Sequence, residues 1–273
     1  MLIRHIPQHF SSIIGYVSRA LLLKQNRVFQ VDSDIAATLR NNSKTTYEAG
    51  WDTYSDTWDS SVHKPGLRYL GDEWGSPELT NEIINQYVKP NISNDSTILE
   101  IGCGGGKFSE QLAPLCKLLI CTDVSENMLQ RTQYRTHRFT NVKFEKLNGL
   151  DLHQFESGSI DFIFSFDCFV HIEIEDIYCY LQEMRRVLAP YGIGLLHFAN
   201  LNSDEGWNKF IIEAPTNRGN RKNFDRFCFL TWEVVEKFFF SLNLKILAYK
   251  REPWRDILVV FGKSTAQVAS GSD

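Results

Sequence analysis

Residues 98–106 read Ile98-Leu99-Glu100-Ile101-Gly102-Cys103-Gly104-Gly105-Gly106, and this stretch decides the fold. Ile98 to Ile101 have the short apolar character of a buried strand, and four of the next five residues are glycine. Glycine lets the backbone take positive φ and lets a ligand approach it closely. A strand that runs into such a turn marks the ligand-binding edge of an open α/β sheet. A dinucleotide-binding pattern, GxGxxG, would need glycine at 102, 104 and 107, but position 107 is Lys. The pattern present is ExGxGxG, with Glu100, Gly102, Gly104 and Gly106. A carboxylate beside the turn suits a ligand with cationic groups better than one with phosphates.

Outward from this turn, short apolar runs alternate with longer helical patterns, as in a mainly parallel sheet covered on both faces. Strands are predicted at Thr97–Ile101, Leu118–Asp123, Val142–Lys146, Ile160–Phe166 and Ile193–Phe198. A helix is expected from Glu173 to Leu188, with a stripe of Ile174, Ile177, Tyr178, Leu181, Met184 and Leu188, stopped by Ala189-Pro190-Tyr191-Gly192. A loop-like insert follows at 200–230. A helix capped by Thr231 then buries Val234, Val235, Phe238 and Phe239. The last two strands, Leu244–Lys250 and Ile257–Phe261, are too close for a crossover helix and so pair antiparallel. The expected fold is α/β: a doubly wound, mainly parallel seven-stranded sheet whose last strand is antiparallel, with an N-terminal helical appendage. The expected divisions are 1–95 (helical and lid segment), 96–265 (sheet domain) and 266–273 (flexible tail).

Asp123 ends the second strand about 20 residues after the glycines, where a carboxylate can accept hydrogen bonds from both hydroxyls of a ribose. From about Thr97 to Lys263 the chain resembles a class I S-adenosylmethionine-dependent methyltransferase, with a Rossmann-like sheet. The resemblance rests on the glycine turn, Asp123, the Asn148-Gly149-Leu150 turn, the run Ser165-Phe166-Asp167-Cys168-Phe169-Val170-His171, and Arg186-Val187-Leu188 before Pro190 and Gly192. It implies S-adenosylmethionine as cofactor, held by Glu100, Gly102, Cys103, Gly104, Asp123, Val124, Met128, Ser165 and Phe166. Asn148, Gly149 and Leu150 would sit at the adenine, where Asn148 can offer its side-chain oxygen. Trp51-Asp52-Thr53-Tyr54 and Gly71-Asp72-Glu73-Trp74-Gly75 resemble the N-terminal segment of some bacterial members that act on small molecules or glycans. That segment implies a lid, with Tyr54 and Trp74 either facing the sulfonium or packing the appendage.

Transfer to a hydroxyl needs a base. His171, after the fourth strand, is the first candidate, with Asp167 before it and His197 on the fifth strand; each histidine also has a purely structural reading. The insert run Asn217 to Arg226 holds three arginines and one lysine, which suits an acidic sugar, nucleotide-linked sugar or phosphorylated metabolite, or reads as a solvated loop. The leading expectation is O-methylation of a small molecule or glycan. An amine or carbon acceptor, and a non-catalytic cofactor-binding scaffold, are the alternatives.

The 273-residue chain is 43% hydrophobic, enough for one sizeable core, and its formal net charge is -4. That balance, with no basic domain and no NPPY-type tetrad after the fourth strand, argues against a nucleic-acid substrate. Six cysteines without CxxC spacing read as thiols in a reducing compartment, with no metal site, and the expected location is the cytoplasm. No apolar run reaches the roughly 18 residues of a membrane span. Residues 1–31 hold four basic residues and no acid on an amphipathic pattern. Three readings are open there: a helix packed on the main domain, a helix on a membrane surface, or a targeting segment. Nothing in the sequence speaks to oligomeric state.

Overall fold

A computed structural model describes residues 46–58, 67–220, 224–251 and 254–264. The expected N-terminal helix and C-terminal tail lie outside them. Seven strands form one sheet: β1 (Thr97–Ile101), β2 (Leu118–Asp123), β3 (Val142–Lys146), β4 (Ile160–Phe164), β5 (Leu188–Ala199), β6 (Leu244–Lys250) and β7 (Asp256–Lys263). Their order is β3-β2-β1-β4-β5-β7-β6. β1 to β5 run parallel, and β7 enters antiparallel between β5 and β6. Only five residues, 251–255, separate β6 from β7, which dictates this because a hairpin has no room for a crossover.

The helices are α1 (Thr46–Thr57), α2 (Pro77–Ile83), α3 (Ser109–Leu112), α4 (Glu126–Thr136), α5 (Ile174–Val187), α6 (Asp204–Gly219) and α7 (Trp232–Ser241). Strand alternation sorts the core into two layers. Leu99, Ile101 and Ile163 meet Ile177, Leu181 and Met184 of α5 and Val235 and Phe239 of α7 on one face. Ile98, Phe162 and Phe164 meet Ile83 of α2, Leu112 of α3 and Leu129 of α4 on the other.

Three local expectations change. The buried stripe of α5 uses Tyr180 and Val187, while Ile174 is exposed, so the helix is rotated from its expected face. Pro190 does not separate helix from strand, since β5 starts at Leu188 directly after α5 and carries Pro190 within it. The insert is not a loop, because α6 fills 16 of its residues behind an N-cap in which Ser203 Oγ accepts from Gly206 N. The two ends of the insert are tied by the hydrogen bonds from Leu230 N to Ala199 O (2.9 Å) and from Leu201 N to Leu230 O (2.8 Å). The described residues belong to one compact unit, in which α1 and α2 pack with the sheet.

Phe261 is fully buried on β7, 5.0 Å from the Phe239 ring, and its ring fills the space a Cβ on Gly194 would need. Phe261→Ala is expected to cost about 3–5 kcal/mol by urea denaturation. A loss below about 1 kcal/mol would show that the two halves of the sheet are not locked there.

Candidate functional site

The glycine turn is shaped by what surrounds it. Gly102, Gly104 and Gly106 have φ of +74°, +53° and +81°, values that carry a steric penalty for residues with a Cβ. A Cβ on Gly102 would also collide with Cys168, and one on Gly105 with the Leu70 carbonyl. The turn hangs from β2: Gly102 N and Cys103 N both donate to Thr122 O, at 2.8 and 2.9 Å. Asp123, at the end of β2, accepts from Gly104 N (3.0 Å) on one oxygen and from Ser125 N (2.9 Å) on the other. Ser125 in turn caps α4 by accepting from Met128 N. Burial pushes the Asp123 carboxyl up to about 6 against these lowering backbone bonds.

Beside the turn lies a cleft. Of the residues singled out from sequence, Gly102, Gly104, Asp123, Val124, Met128, Gly149, Trp74, Asp167 and His171 line it. Tyr47, Trp51, Leu147, Cys168, Ile172 and Tyr180 line it too and were not anticipated. Trp51 stood in the quoted lid motif, but the periodicity of that segment gave no reason to choose it over Tyr54.

Several expected contacts go elsewhere. Glu100 shares the strand parity of Ile98, so its carboxylate faces α3 and accepts from Ser109 Oγ at 2.5 Å; it braces the helix and does not line the cleft. Burial pushes Glu100 up to about 7. Asn148 spends its amide on its own turn: its oxygen accepts from Leu150 N (2.8 Å) and Asp151 N (3.0 Å), so the oxygen expected to face adenine is already used. Cys103 is buried under Thr132, and Ser165 Oγ donates to Ile101 O. Phe166 stacks on His197 at 4.2 Å.

The roof is α1. Tyr47 OH accepts from Glu173 N (3.2 Å), Lys146 pairs with Glu48 at 2.7 Å, and Ser125 Oγ donates to Asp52 at 2.5 Å. Gly50 leaves the space taken by the Phe224 ring, so the helix seats directly against the insert. The Gly71–Gly75 segment forms the adjoining wall. Lys107, the residue that breaks the dinucleotide pattern, donates to the carbonyls of Trp74 and Gly75 and holds Trp74 over the turn. Trp74 stacks on Tyr54 (5.6 Å), whose hydroxyl donates to Glu73 at 2.9 Å. Tyr54 thus faces a second cavity, on the insert side, rather than the first.

Four side chains line both cavities: Trp51, Trp74, Asp167 and His171. His171 Nδ1 lies 3.2 Å from Arg226 O, and because a carbonyl only accepts, Nδ1 carries the proton and Nε2 holds the lone pair. Burial lowers the imidazole below its ordinary value, which favours this neutral form. Asp167 has φ +56° and does not begin a helical turn leading to His171. Its backbone N–H donates to His197 Nδ1 at 3.2 Å, and its Oδ1 lies 3.2 Å from the same nitrogen.

His197 does not serve as a base in this arrangement. It is 1% exposed, between the Phe166 and Trp254 rings, and its Nε2 lies 3.1 Å from Asp256 Oδ2, an ion-pair distance without hydrogen-bond alignment. Burial lowers its pKa, but the adjacent carboxylates of Asp167 and Asp256 outweigh this and raise it to about 9. Asp167 and Asp256 are correspondingly held below the usual carboxylate range, although burial opposes this. Arg255 completes the cluster on Asp256 (Nε to Oδ2, 2.8 Å). Two described cations of the insert are likewise engaged, Arg226 with Glu173 and Lys209 with Glu213.

A histidine raised from 6.5 to about 9 stabilises the fold fully below its ordinary pKa, and that contribution disappears as pH rises through 9. The thermal midpoint should fall between pH 7 and 10, reflecting on the order of 2–3 kcal/mol, and His197→Gln should flatten that limb. An equal alkaline fall in the variant would refute the cluster's charge state.

Residues 98–192 match the methyltransferase domain family. The chain is 22% identical over 160 residues to phosphoethanolamine N-methyltransferase 1 of Caenorhabditis elegans, covering 59% of this chain and 32% of that protein. It is 28% identical over 157 residues to thiol S-methyltransferase TMT1B of Rattus norvegicus, covering 55% and 62% respectively. It thus spans less than two thirds of either relative. The structure of magnesium protoporphyrin IX methyltransferase from Synechocystis PCC 6803 with bound SAH is similar at a TM-score of 0.53 and 15% identity, over 68% of this chain and 83% of that one. The methyltransferase-domain match over residues 98–192 and the seven-stranded sheet with its antiparallel β7 thus agree with a Rossmann-like fold of the class I methyltransferase kind, and that match points to S-adenosylmethionine as the cofactor.

Proposed function

We propose that the protein transfers the methyl group of S-adenosylmethionine to a hydroxyl of a small molecule or sugar. The observation that carries this reading is the shared border of the two cavities, where Trp51, Trp74, Asp167 and His171 face both. The glycine-side cleft suits the cofactor. Asp123 keeps lone pairs beyond its two backbone bonds for ribose hydroxyls, and Val124, Met128, Leu147 and Gly149 offer a mostly apolar wall to an adenine. Bound there, the cofactor supplies an electrophilic methyl on a sulfonium.

The protein's part is alignment, water exclusion and proton removal. α1 and the Trp74 segment roof the cleft. Neutral His171 takes the acceptor's proton on Nε2 while Nδ1 stays bound to Arg226 O. Asp167, ionised and fixed by His197, orients the acceptor without competing for that proton. Among the described residues, the cations that line the insert-side cavity, Arg226, Lys209 and Arg255, are occupied by Glu173, Glu213 and Asp256, so an anionic acceptor has less support there.

His171→Gln should lower kcat by about 100-fold or more with the cofactor Kd within twofold of wild type, once turnover on pooled sugars, nucleotide sugars and phenols has identified an acceptor. Unchanged kcat would remove His171 as the base. A second reading, transfer to an amine, draws on the name of the phosphoethanolamine relative. An N-methylated product insensitive to His171→Gln would favour it.

Asp123 carries the cofactor part of the proposal. Its carboxyl is raised to about 6, so cofactor affinity measured by calorimetry should weaken as pH falls from 7.5 to 5 and the carboxylate is protonated. Affinity that stays constant across this range would contradict the ribose role.

A further inference from the structure

The insert-side cavity has walls of a definite chemistry. Trp51, Tyr54, Trp74 and Phe227 contribute aromatic faces, and Glu73, Asp167, Glu213 and Asp225 contribute carboxylates. Its three described cations are all in ion pairs. Lys209 is held by Glu213 and lies 4.1 Å over the Phe227 ring, Arg226 is held by Glu173, and Arg255 by Asp256. The Asp167–His197–Asp256–Arg255 cluster balances its own charges. Glu73 accepts from Tyr54 OH, Trp58 Nε1 and Gly71 N, and neither it nor Asp225 has a cation within salt-bridge distance among the described residues. Lys107, behind Trp74, is a further cation whose charge acts on Glu73 and Asp167, and its ammonium is turned to backbone carbonyls.

An incoming anion therefore meets carboxylates and no uncommitted described cation, whereas an ammonium meets aromatic faces and a fixed carboxylate. Cations are attracted to aromatic faces, most strongly to Trp. Asp167 is the best-held of the carboxylates. Its side chain is 29% exposed toward the cavities, while the buried His197 clamps its other side, between the Phe166 and Trp254 rings.

We propose that the acceptor is a cationic small molecule whose protonated amine docks on Asp167 and the Trp51–Trp74 wall, while a separate hydroxyl of the same molecule faces His171. This rests on the methyl-transfer reading and narrows it to amino alcohols and amino sugars. The ammonium is an anchor and keeps its proton, and the methylated atom is oxygen.

The probes are glucosamine and its neutral counterpart glucose, titrated into full-length protein loaded with S-adenosylhomocysteine and followed by the tryptophan indole NMR signals. Glucosamine should bind at least about tenfold more tightly than glucose. Asp167→Asn, which removes the charge and tolerates the positive φ, should bring the two affinities within about twofold. Trp74→Leu should reduce the preference independently, and it keeps the test open if the first variant does not fold. Equal affinities in wild type, a preference retained in a folded Asp167→Asn, or methylation of the glucosamine nitrogen would each overturn the proposal. Failure to bind S-adenosylhomocysteine at the start would instead overturn the methyl-transfer reading beneath it.

Discussion

The carboxylate of Asp123 is the fastening on which the site depends. One oxygen holds Gly104 N of the turn after β1 and the other holds Ser125 N at the start of α4. Two connections at the carboxyl edge of adjacent parallel strands are thereby kept at a fixed separation, and the space between them is the floor of the cleft. The carboxylate is almost wholly buried, and leaving its charge there costs free energy that the backbone N–H groups only partly return. Such a group is retained where ligand hydroxyls can complete its hydrogen bonding, which is why its position says more about function than the glycines do.

The same point ties down the roof. Ser125 donates its hydroxyl to Asp52 of α1 while its amide donates to Asp123, so the helix that covers the cleft and the turn that floors it share one residue. Glu48 and Asp52 lie one turn apart on α1 and reach Lys146 and Ser125, on β3 and before α4. The adjoining side of α1, about 100° around the helix, presents Tyr47 and Trp51 to the cleft. Closure of the roof and assembly of the junction between the two cavities are therefore one packing event, and His171 is enclosed by Trp51 and Phe227 as a result.

Much of this was legible in the sequence, for identifiable reasons. β1, β2 and β3 match their expected bounds residue for residue, because β1 and β2 are short, mostly apolar runs and β3 alternates apolar with charged residues, each closed by glycine, acid or turn residues. The antiparallel end strand followed from loop length alone. Side-chain direction was harder to read. Glu100 stands two residues before Gly102, yet strand parity turns it to the opposite face, toward Ser109. Asn148 has the right chemistry for adenine but satisfies its own turn first. His197 looked like a second base until Asp256, almost 60 positions later, was seen beside it. That pairing exists only because β7 lies next to β5, with His197 opposite Leu258. Tyr47 and Trp51 gave no periodic signal in a short aromatic-rich segment. In the insert, Arg226 suggested anion binding because its carboxylate partner, Glu173, lies at the start of another element, α5.

The central claim is that the reactive methyl lies where the two cavities meet. It is tested most directly by isotope-edited NMR of the protein with S-adenosylmethionine carrying a 13C-labelled methyl group. Nuclear Overhauser contacts from that methyl to the rings of Trp51, Trp74 or His171 are the predicted result. A bound methyl with contacts to none of these rings would contradict the account, and so would a cofactor that fails to bind at all.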